Sequence, residues 1–291
     1  MDNTVNLILI GFRSVGQGIA EILRLRGPVL KEKHGLDLRV IAIVDRGGAA
    51  VSKVGLDLTR ALEVKKLLGS VSAMKTVGKP GLSAVGVIED LDGDIVVEVT
   101  SNNLENGEPG LTHIKRALAS GKHVVTTNKG PLTLALPQLL DFAQRRHADL
   151  RFSGAVGGAM PILGFAKELL YGDEILSIRG VLNGTTNYIL WSMSERHLTM
   201  DQAIAEARKL GYAEENISYD IDGLDTASKI VIIANWVMGR RISLRDVDIK
   251  GVRGISQEDL IKAKIRGFTI RLIGSISHDE VKVSPEEIPL G

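Results

Sequence analysis

VNLILIGFRSVGQGIAEILRL, residues Val5 to Leu25, passes from a β-rich apolar run to a glycine turn and then to a helical pattern. Val5 to Ile10 is aliphatic and stops at Gly11, GFRSVGQG spans Gly11 to Gly18, and IAEILRL then repeats apolar residues at helical spacing. Strand, glycine turn and helix start, in that order, are the context a dinucleotide fingerprint requires. The free N–H groups and positive dipole end of such a helix suit a pyrophosphate. The expected fold is therefore α/β, with an N-terminal Rossmann-type doubly wound sheet. A glycine turn in some other βαβ unit is the alternative reading of the same residues.

Two features depart from G-x-G-x-x-G. Arg13 stands where the middle glycine allows close backbone approach, and its guanidinium can reach phosphate instead. A second strand, Arg39 to Val44, ends at Asp45, placed to accept hydrogen bonds from an adenine ribose. Asp45 comes late because RGPVLKEKHGLDL lengthens the connection. Arg46 and Lys53 follow it, and either can take a 2′-phosphate. NAD and NADP both remain open.

A third strand, Asp94 to Val99, leads into Thr100 and the polar loop SNNLENGEPG. LTHIKRALASGK reads as an amphipathic helix closed by Gly121, HVVTT as a strand, and NKGPL follows. Lys129 thus sits just past a strand end, on the edge of the sheet where ligands bind. An ordinary loop lysine is the plainer reading.

The second half reads as an α+β domain, giving domains of 1–149 and 150–291. Leu150 to Val156 is an expected strand, GAVGGAMPIL a glycine-rich turn into a helix, and SIRGVL another strand. In NGTTNYIL, Thr185 and Thr186 are candidate caps for a helix over Asn187 to Glu195. Met200 to Leu210 reads as an amphipathic helix and Leu224 to Met238 as a buried one. Ser256 with Asp259 resembles a capping box with Asp in place of Glu or Gln. Between these lies GYAEENISYDIDGLDTASK, Gly211 to Lys229, which sets Glu214, Glu215, Asp220 and Asp222 ahead of one helical turn. In that turn Asp225 and Lys229 are spaced i,i+4 and can pair. A lysine among carboxylates suits either proton transfer or a surface salt bridge.

The 291 residues carry a formal net charge of +1, so no global field favours nucleic acid or an anionic membrane. Absence of cysteine excludes disulfides, thiolate metal sites and a cysteine nucleophile. The N-terminus lacks the pattern of a signal peptide. The longest later apolar run, Ile230 to Met238, falls far short of the ~20 residues a membrane helix needs. A cytoplasmic protein is expected. The six histidines show no ligand spacing.

The blocks GFRSVGQG, HIKRALASGKHVVTTNKGPL, GAVGGAMPIL, GVLNGTTNYIL and LGYAEENISYDIDGLDTASK together resemble homoserine dehydrogenase, in its short form without a kinase or regulatory domain. They occur in that family's order and span nearly the whole chain. The resemblance implies reversible reduction of L-aspartate 4-semialdehyde to L-homoserine with NADH or NADPH, by a homodimer. It makes Lys229 the general acid and Lys129 a second lysine near substrate and nicotinamide. Glu214 and Asp225 become substrate ligands, Asp220 shapes the site, and Thr185 and Tyr212 face substrate. Gly11, Phe12, Ser14, Val15 and Gly16 match the dinucleotide turn, and Thr100 and Gly211 match further cofactor contacts.

The family also holds a monovalent cation, usually sodium, on backbone carbonyls that match Val156, Gly158 and Met160. The glutamate that completes that site is Ser153 here. Family members continue beyond SPEEIPLG with a glycine-rich segment over the cofactor and a returning helix. Two other readings stand beside this one. One is a dehydrogenase of another small amino acid or aldehyde. The other is a cofactor-binding regulator without turnover, supported by Arg13 and Ser153.

Overall fold

The computed structural model describes residues 3–213 and 216–290. The chain divides into two compact units, Met1–Ala159 and Met160–Gly291.

In the first unit the strands are β1 (Asn3–Ile10), β2 (Leu36–Asp45), β3 (Gly48–Val51), β4 (Gly78–Pro80), β5 (Ile95–Glu98), β6 (His123–Thr126) and β7 (Leu150–Arg151). They form one sheet in the order β4-β3-β2-β1-β5-β6-β7. β1 pairs in parallel with β2 and β5, β5 with β6, and β6 with β7, while β3 and β4 add an antiparallel edge. The chain leaves β1 toward β2 on one side and reaches β5 on the other. β1 and β5 therefore flank the switch point at which doubly wound sheets bind ligands. Ile8, Leu9 and Ile10 on β1, and Ile41 to Val44 on β2, are all buried. Such continuous apolar runs are what a sheet covered on both faces demands.

The helices of this unit are α1 (Ser14–His34), α2 (Leu58–Leu68), α3 (Ala84–Asp90), α4 (Gly110–Ala119) and α5 (Lys129–Arg145). Most of the stretch read from sequence as lengthening the connection to Asp45 is instead helix, as far as His34, and its last residues, Leu36 to Leu38, already belong to β2. α1 runs through Pro28 and stops at Gly35, whose φ of 62° caps it after Lys31, Lys33 and His34. Proline removes one backbone donor there, but Arg24, which loses that partner, is exposed and open to water. The strand expected over Leu150 to Val156 is also shorter. It ends at Arg151 because Phe152 (φ −150°, ψ 26°) leaves the extended region and opens a 3-10 turn, Ser153–Ala155.

The second unit has β8 (Ile178–Gly180), β9 (Asp248–Ile249), β10 (Phe268–Ile276) and β11 (Val281–Pro289), in the order β8-β10-β11-β9. Its helices are α6 (Ile162–Leu169), α7 (Gly184–Arg196), α8 (Met200–Lys209), α9 (Ser218–Ile221), α10 (Leu224–Val237) and α11 (Gln257–Ile265). α10 is apolar around most of its circumference and is the centre of this unit's core, with Ile230, Val231 and Ala234 packed among Ile189, Leu272 and Val283. Gly274 lets it come close. A Cβ there would lie 2.8 Å from the Ile230 side chain and 3.0 Å from that of Thr226. The capping box read at Ser256 and Asp259 is formed at the start of α11.

Candidate active site

The glycine turn lies at the C-terminal end of β1. Gly11 has φ 100°, and a Cβ on it would meet the Val99 carbonyl oxygen at 2.6 Å. A Cβ on Gly16 would lie 2.1 Å from the Gly11 carbonyl oxygen, so only glycine lets α1 start this tightly against the turn. Phe12 is buried beneath the turn, while Arg13, Ser14 and Val15 are exposed on it. Arg13 is the N-cap of α1 but contributes no side-chain cap, and the first turn holds no acidic residue. The helix thus presents uncapped N–H groups at the switch point, which suits an anionic pyrophosphate.

Thr100 and Lys129 are brought to this same edge by a network centred on Glu98, which is fully buried. Its carboxylate accepts from the Thr100 amide at 3.1 Å, from the Thr100 hydroxyl, and from the Thr126 hydroxyl at 3.1 Å. Asn128 then donates through Nδ2 to the Thr100 hydroxyl at 3.2 Å and through its amide to Thr126 Oγ1 at 3.0 Å. The Lys129 amide donates to Asn102 Oδ1 at 2.7 Å, which seats this lysine on the first residue of α5. The ends of β5 and β6 are thereby tied together. Glu98, Thr126 and Asn128 were not singled out from sequence. A lone carboxylate inside the apolar run IVVEV was the available signal, since such a group is buried only when it has partners.

Asp45 is at the end of β2, with its side chain 4% exposed. Its oxygens accept from Lys65 Nζ at 2.7 Å, Ser70 Oγ at 2.7 Å, the Gly47 amide at 3.0 Å and the Val71 amide at 3.1 Å. Burial alone would raise the carboxyl's pKa. The hydrogen bonds from Lys65, Ser70, Gly47 and Val71 outweigh it and hold the group below the usual aspartate range. The acid expected to meet a ribose is thus already bound within the protein, where it organises the turns after β2 and α2. Arg46 and Lys53 are exposed.

In the second unit the candidate residues gather around Asn183, which sequence reading had passed over. Asn183 Nδ2 donates to Asp220 Oδ1 at 2.6 Å and to Asp225 Oδ2 at 2.9 Å. Lys229 Nζ lies 2.7 Å from the same Asp225 Oδ2 and donates to the Leu182 carbonyl at 2.6 Å. The i,i+4 pairing expected from sequence is present. Asn183 also caps α7, accepting from the Thr186 amide at 2.8 Å. This corrects the reading of Thr185 and Thr186 as caps. The helix starts earlier, at Gly184, and Asn183, among the strongest N-cap residues, precedes it. Thr185 instead donates to the Tyr212 carbonyl at 2.8 Å, and the Tyr212 ring packs 4.9 Å from that of Tyr188. Gly211, with φ 78°, ends α8 beside Tyr212. Glu214 and Glu215 lie outside the described residues.

Of the three carbonyl positions expected to hold a cation, Val156 is buried, Gly158 is left-handed at φ 57°, and Met160 is largely exposed. Among the described residues no group of three or more His, Asp or Glu side chains is placed to hold a metal ion.

Residues 11–153 match the family described as homoserine dehydrogenase, NAD binding domain, and residues 161–291 match the family described as homoserine dehydrogenase. The chain belongs to the homoserine dehydrogenase family. It is 46% identical over 286 residues to the homoserine dehydrogenase of Methanocaldococcus jannaschii, covering 98% of this chain and 84% of that one. It superposes on a crystal structure of a homoserine dehydrogenase from Archaeoglobus fulgidus with a TM-score of 0.88 at 36% identity, covering 98% of this chain and 84% of that one. A hyperthermophilic archaeal homoserine dehydrogenase in complex with NADPH is 30% identical, with a TM-score of 0.84 and coverage of 99% and 83%. Homoserine dehydrogenases are NAD(P)-dependent oxidoreductases, and the uncapped glycine turn at the switch point agrees with that chemistry.

Proposed function

We propose that this chain interconverts L-homoserine and L-aspartate 4-semialdehyde, with NAD(P) bound on residues 1–149 and substrate on 150–291. The observation that carries this reading is Lys229, an ammonium fixed by Asp225 and the Leu182 carbonyl in a mostly buried acid cluster. When bound, the reduced nicotinamide supplies the hydride. Lys229 stabilises the charge that develops on the aldehyde oxygen and delivers the proton. Asp225 and Glu214 bind the substrate's α-ammonium group, Asp220 shapes their surroundings, and Thr185 and Tyr212 position the remainder. Lys129 is the second cation of the reaction. Gly11 to Gly16 bind the pyrophosphate with the α1 N-terminus, Arg13 adds a phosphate contact, and Thr100 and Gly211 contact the cofactor.

Asp45 supports the adenosine end through the turns it organises. Because Lys65 neutralises it, Asp45 offers little repulsion to a 2′-phosphate, and Arg46 and Lys53 are exposed nearby in sequence. NADPH is therefore accepted at least as well as NADH. Val156, Gly158 and Met160 offer neutral carbonyls, with Ser153 adding no charge. That donor set fits a monovalent ion such as sodium and holds it weakly. No step of the reaction runs through that ion. The protein acts in the cytoplasm as a homodimer. Ile162, Phe165 and Leu169 support an assembly, being exposed at one-face spacing on α6.

The test is homoserine oxidation with NAD and NADP side by side, with and without sodium. Turnover with either cofactor is expected, with at most a small sodium effect. Tight NADPH binding without turnover of homoserine would overturn the reading in favour of a regulator. Turnover only of another amino acid or aldehyde would reassign the substrate.

A further inference from the structure

We infer that Asn183 is a positioning residue, an amide bridge that ties Asp220 to Asp225 and so sets the Asp225 carboxylate for the substrate's ammonium group; this rests on the function proposed above. Asn183 is 3% exposed. Its two N–H groups go to Asp220 Oδ1 (2.6 Å) and Asp225 Oδ2 (2.9 Å), and its oxygen accepts from the Thr186 amide (2.8 Å) and hydroxyl (3.1 Å). Two donors and two acceptor sites are all that a carboxamide has. The assignment of its atoms is also unambiguous. Turned over, its oxygen would face two carboxylates.

Capping alone does not explain an amide here. A cap needs only the oxygen, and serine or aspartate serves as well as asparagine. The two N–H groups serve the acids instead. Asp220 and Asp225 repel each other, and a neutral donor shared between them offsets that repulsion without adding a charge that would compete for an ammonium group. Asp225 Oδ2 also receives Lys229, so the line from Asn183 through Asp225 reaches the proposed acid. Three helix ends, of α7, α9 and α10, are held in register by this one side chain. Charged groups placed against it include Asp220, Asp225 and, through Asp225, Lys229.

Asn183→Ser and Asn183→Asp in the full chain separate bridging from capping, because both keep a capping oxygen. Helical content and NADPH affinity are expected to stay at wild-type levels in each. Asn183→Ser should raise KM for homoserine about tenfold or more, the size of a lost hydrogen bond to a charged group. Asn183→Asp should be worse at neutral pH and recover relative to wild type as pH falls, because a protonated aspartate regains one donor. Wild-type KM in Asn183→Ser, or Asn183→Asp matching wild type at every pH, would overturn the bridge. Loss of helical content in both variants would also overturn it, by showing the cap to be the dominant role. A carbon-13 NMR titration of the Asp220 and Asp225 carboxyls is independent of turnover. Their midpoints should rise in Asn183→Ser, and unchanged midpoints count against the bridge. A wild-type chain that is inert toward homoserine, with midpoints that still rise, would remove the substrate assignment and leave the bridge standing.

Discussion

Lys229 and Asp225 face each other one helical turn apart on α10, with Nζ 2.7 Å from Oδ2 and side chains only 17% and 14% exposed. Exposed i,i+4 pairs contribute a few tenths of a kcal/mol and are screened by salt. This pair differs, because Lys229 also donates to the Leu182 carbonyl and Asp225 is held by Asn183. An ammonium oriented from two sides has the arrangement of a proton donor rather than of a mobile surface charge.

Replacing Lys229 with alanine is therefore expected to lower kcat for homoserine oxidation by about 10²–10⁴-fold, the usual contribution of a placed acid or base. NADPH binding, followed by fluorescence titration, should stay unchanged. Near wild-type turnover in Lys229→Ala would remove this residue from the proton-transfer step.

Glu98 joins the ends of β5 and β6 through Thr100 and Thr126. Glu98→Gln keeps the volume but loses one strong acceptor, so a buried hydroxyl is left without its charged partner. The expected cost is about 1–3 kcal/mol of stability. Weaker NADPH binding should accompany it as the Thr100 loop loosens. Thermal melting and fluorescence titration of the same preparation measure both, and unchanged affinity would show that the network does not support the cofactor edge.

Asp45 predicts a pH signature. Its folded carboxyl lies below the ordinary value of 3.8, so its contribution is present above that value and disappears as pH falls through the folded pKa. Asp45→Asn should lose about 1–3 kcal/mol at neutral pH, because the Lys65, Ser70, Gly47 and Val71 donors lose a charged acceptor. Urea unfolding at pH 7 and at pH 3 should show the gap between variant and wild type narrowing at the lower pH. A gap of equal size at both would mean that charge is not what this carboxylate contributes.

Local patterns in the chain were sufficient for much of this. The run from Val5 to Leu25 implied strand, glycine turn and helix, and the turn sits at the β1/β5 switch point as that fold class requires. Asp225 and Lys229 pair because i,i+4 spacing is a property of the helix itself. The capping box at Ser256 and Asp259 is equally local. Patterns failed where a local signal misled. The stretch before Asp45 looked like added connection but mostly continues α1, and two threonines inside the first turn of α7 looked like its caps.

The partners of the polar groups were decided by tertiary structure. Asn183 is 37 residues from Asp220 and 42 from Asp225, and Glu98 is 28 from Thr126. Asp45 looked available for a ribose until Lys65, Ser70 and Val71, 20, 25 and 26 residues further on, were seen to occupy it. Periodicity and spacing report on backbone conformation within a few turns. Which buried carboxylate finds which donor depends on which strand ends and helix termini become neighbours, and that is set only when the sheet and core are assembled.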